Sequence, residues 1–89
     1  MTKHINLKIY GEVQGVFFRQ GVKDRALELG LAGFVRNEPD GSVYLEAEGG
    51  KIALEKMAEF CRKGPPGAKV NSLDISEGAV QNFTGFNIV

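Results

Sequence analysis

Ile5-Asn6-Leu7-Lys8-Ile9-Tyr10-Gly11-Glu12-Val13-Gln14-Gly15-Val16-Phe17-Phe18-Arg19 runs from one structural period into another. Ile5, Leu7 and Ile9 alternate with Asn6, Lys8 and Tyr10, the pattern of a strand with one buried face. From Gln20 to Leu29, Val22, Ala26 and Leu29 fall on one stripe by three- and four-residue spacing, the pattern of a helix. Leu27 lies off that stripe, and nothing in the sequence accounts for it. Between strand and helix lies a loop punctuated by Gly11 and Gly15. Backbone N–H groups at a helix start have no intrahelical partner, and the helix dipole adds partial positive charge there. Glycine admits backbone conformations and close approaches that a Cβ obstructs. Arg19, at the loop-to-helix junction, brings a planar and permanently charged fork of donors. Together these parts describe an anion site, most naturally a phosphate site. The loop is neither the GxGxxG fingerprint nor the GxxxxGK[ST] phosphate loop. A tight turn with a surface arginine fits the same residues, so the rest of the chain has to decide.

After Gly30, placed to cap the helix in the left-handed conformation, Leu31 to Asn37 reads as a second strand. Glu38-Pro39-Asp40-Gly41 is a turn: proline presets φ, aspartate favours the turn and glycine takes positive φ. Ser42 to Glu48 follows as a third strand, with Val43, Leu45 and Ala47 alternating, so the two strands form a hairpin. Lys51 to Lys63 is a helix with a wide apolar stripe of Ala53, Leu54, Met57, Ala58, Phe60 and Cys61. Lys56, Arg62 and Lys63 lie toward its C-terminal end, as the dipole favours. Gly64-Pro65-Pro66-Gly67 stops it. Val70 to Glu77 is a fourth strand whose broken alternation points to a bulge or an edge. Phe83 to Val89 is a short last strand.

Composition bounds the function. The chain has 89 residues, 43% of them apolar and 25% charged, an ordinary globular balance for one domain, residues 1–89. Its net charge is zero, with 11 basic and 11 acidic side chains, which disfavours nucleic-acid binding through a general basic field. Cys61 is the only cysteine, so no internal disulfide forms, and a reducing, cytoplasmic setting is the simpler expectation. That cysteine sits on an apolar stripe and is read as packing. No apolar stretch is long enough to span a bilayer, and Met1-Thr2-Lys3-His4 leads into a strand with no signal-peptide region. His4, the only histidine, precedes the first strand without an evident partner and is read as a solvated side chain. No histidine, cysteine and carboxylate cluster has metal-ligand spacing, so neither metal nor cofactor is expected.

The element order is strand, helix, strand, strand, helix, strand, with a terminal strand added. This is the α+β, ferredoxin-like split βαβ pattern, an antiparallel sheet with two helices on one face. The first and second strands run the same way with the third between them, so their C-terminal ends lie at one edge of the sheet, about 10 Å apart. The glycine loop leaves the first strand there and Asn37 ends the second. Arg19 and Asn37 are therefore expected to converge on one small site, with at least one of Phe17 and Phe18 anchoring the loop in the core.

Two stretches now resemble a known family. Gly11 to Arg19 is similar to the first signature of the acylphosphatases, and Gly33-Phe34-Val35-Arg36-Asn37-Glu38-Pro39-Asp40-Gly41-Ser42-Val43, continuing to Gly49, to the second. Gly64-Pro65-Pro66 is similar to the turn before that family's fourth strand. The resemblance implies hydrolysis of acyl phosphates, mixed anhydrides of a carboxylate and phosphate. It places the catalytic pair on Arg19 and Asn37, with Asn37 positioning the attacking water. It assigns phosphate binding to the backbone of Gln14, Gly15, Val16, Phe17, Phe18 and Arg19. The expected partners are a small-molecule acyl phosphate and inorganic phosphate or sulfate as a competing anion, with no nucleic acid and no membrane, and the expected state is a monomer. An RNA-binding module on the same fold is the alternative, through Tyr10 and Tyr44 on the open sheet face. Glu46 and Glu48 share that face and repel phosphates. A metal carrier would want a Cys-x-x-Cys loop, which the chain lacks.

Overall fold

The alternating run becomes β1, Lys3–Glu12, in a computed structural model that describes all 89 residues, Met1–Val89. The loop leads into α1, Phe18–Leu29. Then follow β2, Ala32–Asn37, β3, Val43–Gly49, α2, Lys51–Lys63, β4, Lys69–Gly78, and β5, Phe86–Ile88. The strands lie in the order β4-β1-β3-β2-β5. The first four pair antiparallel. β5 adds a parallel pair at the β2 edge, so the five-stranded sheet is mixed.

One face of the sheet carries the core. Ile5, Leu7 and Ile9 of β1, Val35 of β2, and Val43, Leu45 and Ala47 of β3 are buried against both helices. α1 begins two residues earlier than its polar start indicates. Phe18 is itself buried, one helical turn before Val22 and two before Ala26, so the three make one continuous apolar row. Leu27 is 56% exposed, which settles its place off the stripe. α2 buries Leu54, Met57, Ala58 and Cys61. Burial pushes the Cys61 thiol up to about 12, so at neutral pH it stays a protonated packing group.

β4 is both an edge strand and irregular. Its pairing with β1 slips between Tyr10↔Ser72 and Gly11↔Val70, which leaves Asn71 as the extra residue of a bulge. Gly11 has φ +135, and a Cβ there would collide with the Lys69 carbonyl oxygen. Only glycine lets β1 pass this close to β4 as it enters the loop.

The sheet face away from the helices corrects the reading of His4. His4 is only 2% exposed. Its Nδ1 lies 2.7 Å from Glu48 Oε2, and its Nε2 lies 2.9 Å from Asn6 Oδ1 and 3.0 Å from Glu46 Oε1. Facing acceptors on both sides, the ring needs both N–H groups, the charged form. The cover comes from residues 79–85, which cross this face from the β4 edge to the β5 edge. The Gln81 and Phe83 N–H groups donate to the Glu48 carboxylate, and the Phe83 ring sits 5.7 Å from the His4 ring. Apart from Asn6, these partners lie outside the strand that carries His4.

This buried pair makes stability depend on pH. Burial pulls the His4 pKa down, but the hydrogen bonds to Glu48 and Asn6 and the charges of Glu46 and Glu48 outweigh it, and the net shift is upward from 6.5. Burial pushes Glu48 up, but the Gln81 N–H, His4 and the Phe83 N–H outweigh it, and the net shift is downward from 4.5. The histidine contribution is complete below its unfolded pKa and is lost as pH rises through the raised one. The carboxylate contribution is complete above its unfolded pKa and is lost as pH falls through the lowered one. The pair is therefore expected to stabilise most between about pH 4.5 and 6.5, with the melting temperature falling on either side. Thermal melts across pH 3–9 check this. Glu48→Gln should lower the maximum and flatten the profile, and an unchanged profile would remove the pair as its source.

Candidate active site

Because β3 lies between them, β1 and β2 are parallel, and the loop leaving β1 comes down beside the end of β2. Gly15, Phe17, Phe18, Arg19 and Asn37 line a single cavity of about 310 Å³. Val13, Gln20 and Ile88 complete its wall. A larger groove, about 520 Å³, lies between α2 and β4 and is lined by none of these residues. Chemistry rather than size selects the site.

The loop is built to leave donors free. Gly15 takes φ +75, which turns the chain back toward the sheet edge. Phe17 is the N-cap of α1, with φ 60 and ψ 25, and the cap has no side-chain hydrogen bond. The first bond of the helix runs from the Gly21 N–H to the Phe17 carbonyl at 3.0 Å. The N–H groups of residues 17–20 therefore have no helical acceptor. The first turn contains no acidic residue to oppose an anion at the helix start. Phe18, 1% exposed, is the core anchor of the loop.

Carboxylates near the site are already engaged. Glu38 Oε2 accepts from Arg36 Nε at 3.1 Å. Asp40 accepts from the hydroxyl and N–H of Ser42 and pairs with Lys8 at 3.1 Å. The Ser42 contacts and then Lys8 bring its carboxyl down to about 2. Arg19 enters none of the ion pairs. Asn37 Oδ1 is buried and has no hydrogen-bond partner, alone among the buried side-chain nitrogens and oxygens. Such an orphan costs about 1–3 kcal/mol and is uncommon among buried polar atoms.

The side chains of Gln14 and Val16, expected at the phosphate through their backbone alone, are engaged elsewhere. The Gln14 side chain donates from Nε2 to the Glu38 and Ser42 carbonyls at 2.8 and 2.9 Å. It fastens the loop to the hairpin turn that follows Asn37. Val16 packs against the core. Neither side chain lines the cavity, which leaves only their backbone for an anion.

The open sheet face is occupied by its own contacts. The Arg36 guanidinium lies over the Tyr44 ring at 4.9 Å and over Phe34 at 5.6 Å, and the Tyr44 hydroxyl donates to Glu46 at 2.7 Å. No bare stacking platform of the RNA-binding kind is left there.

The acylphosphatase family model matches residues 5–88. The chain belongs to the acylphosphatase family. An acylphosphatase of Methylococcus capsulatus is 44% identical over 88 residues, covering 98% of this chain and 96% of that one. A solved acylphosphatase from Coxiella burnetii superposes with a TM-score of 0.96 at 35% identity, covering 99% of this chain and 93% of that one. The Bacillus subtilis acylphosphatase gives 0.95 at 36% identity, covering 100% and 99%. The acylphosphatase likeness thus takes in β5, the element least marked in the sequence. Ile88 reaches the cavity because β5 lies along β2, with Val35↔Ile88 in register. Spacing along the chain carries no sign of that neighbour. Gln20 had a signal, its place in the uncapped first turn beside Arg19.

Proposed function

We infer that this chain hydrolyses acyl phosphates to a carboxylate and inorganic phosphate, with Arg19 and the loop N–H groups holding the phosphoryl group and Asn37 orienting water. The observation that carries the reading is the partnerless Asn37 Oδ1 in the same cavity as an unpaired arginine. An amide oxygen accepts one hydrogen of a water, which turns a lone pair of that water toward phosphorus. The neutral amide does this without repelling a dianion. The water oxygen bonds to phosphorus as the phosphorus–oxygen bond to the acyl group breaks, and the bonding pair leaves with the carboxylate. A carboxylate, with a pKa near 4, leaves without a general acid. The proton released by the water goes to a phosphoryl oxygen. Phosphoryl transfer asks mainly for positioning and for stabilisation of charge on the equatorial oxygens, and backbone N–H groups with one guanidinium supply both.

The same donors take an anion directly, so no divalent ion is needed to bind it. Phosphate release from an acyl phosphate should persist in excess chelator. Inorganic phosphate or sulfate should raise apparent KM with kcat unchanged. Activity lost to chelation and restored by magnesium or zinc would overturn the metal-free mechanism, and non-competitive inhibition would move the anion site off the loop. The reading extends to one domain, residues 1–89, acting as a cytoplasmic monomer, supported by its single core and buried cysteine.

A further inference from the structure

Phe17 is disfavoured twice where it stands. Its side chain is 84% exposed. Its backbone is left-handed, with φ 60, a region where residues other than glycine and asparagine are uncommon. Asn82, the other residue of this kind, is an amide that tolerates it. Phe18, Phe34, Phe60 and Phe83 each pair with another ring and Phe86 is buried, whereas Phe17 is exposed and pairs with none. It does line the cavity beside Arg19 and Asn37.

The mechanism says what such a ring can meet. The phosphoryl oxygens use the loop N–H groups and Arg19, so the acyl part of the substrate must touch the rest of the wall. Val13 and Phe18, each 1% exposed, are sealed into the core. That leaves Phe17, Gln20 and Ile88. In-line displacement sets the attacking water and the leaving group on opposite sides of phosphorus. The proposed mechanism sets the water at Asn37, and Ile88 belongs to the strand paired with β2, the strand that ends at Asn37. The remaining apolar surface is the Phe17 ring.

We propose that Phe17 receives the acyl group and selects acyl phosphates whose acyl group is flat and apolar, an aromatic one over acetyl. The proposal rests on the acyl-phosphate reading above. A ring stacked on a ring gains from offset or edge contact as well as from area, and a methyl group offers neither.

The test is the ratio of kcat/KM for benzoyl phosphate to that for acetyl phosphate, in the native protein, Phe17→Asn and Phe17→Trp. Asparagine keeps the left-handed backbone without the ring, and tryptophan keeps an aromatic face. Intrinsic substrate reactivity is common to all three proteins, and any uniform loss from a disturbed loop cancels in the ratio. Phe17→Asn should lower the ratio about tenfold, and Phe17→Trp should keep it within about twofold. A ratio unchanged in Phe17→Asn, whatever the absolute rates, overturns the proposal and leaves the acyl-phosphate reading standing. A native protein that hydrolyses neither compound overturns both.

Discussion

Arg19→Ala is expected to lower kcat/KM on an acyl phosphate about a hundredfold to several thousandfold, with the protein still folded. The figure follows from the role proposed for the guanidinium. Charge builds on three equatorial oxygens in the transition state, and a forked donor at the mouth of a helix meets two of them at once. Losing one such charged donor costs of order 3–5 kcal/mol in the barrier. Stability should hardly change, because the side chain is exposed and makes no ion pair. Arg19→Lys should fall between the two, since a point charge keeps the attraction and loses the fork. Steady-state kinetics beside a thermal melt separate the effects. Near-native turnover in a folded Arg19→Ala protein would take the residue out of the mechanism.

Asn37→Ala is expected to show a different signature. kcat should fall about a hundredfold or more, because a water no longer held on line must find its own orientation. Competitive inhibition by phosphate should stay close to native, because the loop donors and Arg19 remain. The melting temperature should hold or rise, since the substitution removes a buried oxygen that the fold leaves without a partner. Collapse of phosphate affinity with kcat preserved would assign Asn37 to binding instead. A marked loss of stability would mean that its oxygen is satisfied in solution.

The parts of the site legible in the sequence are those set by local rules. Alternation gave β1 and β3, the turn residues gave the hairpin, and Gly30 gave the end of α1. Two parallel strands with a third between them then bring residues 19 and 37 together without any side-chain detail. What the sequence withheld depends on contacts between distant segments. Gln14 looks like any polar loop residue until the Glu38 and Ser42 carbonyls arrive beside it. His4 looks solvated until residues 79–85 cross over it. Ile88 looks like a terminal apolar residue until β5 is laid against β2. The left-handed backbone of Phe17 contradicts its residue type, and local propensity fails most readily where a site stores strain.

β1 lies inside the sheet, between β3 and β4, although it comes first among the strands and β4 nearly last. During synthesis one side of β1 remains an open edge until β4 has emerged. Pairing the two far ends is the costly kind of loop closure, which places small mixed α/β proteins between the fast helical bundles and the slow all-β folds. The close passage of Gly11 past Lys69 forms only when β4 docks. Returning activity after dilution from denaturant is therefore expected to report closure of the whole sheet rather than growth of α1.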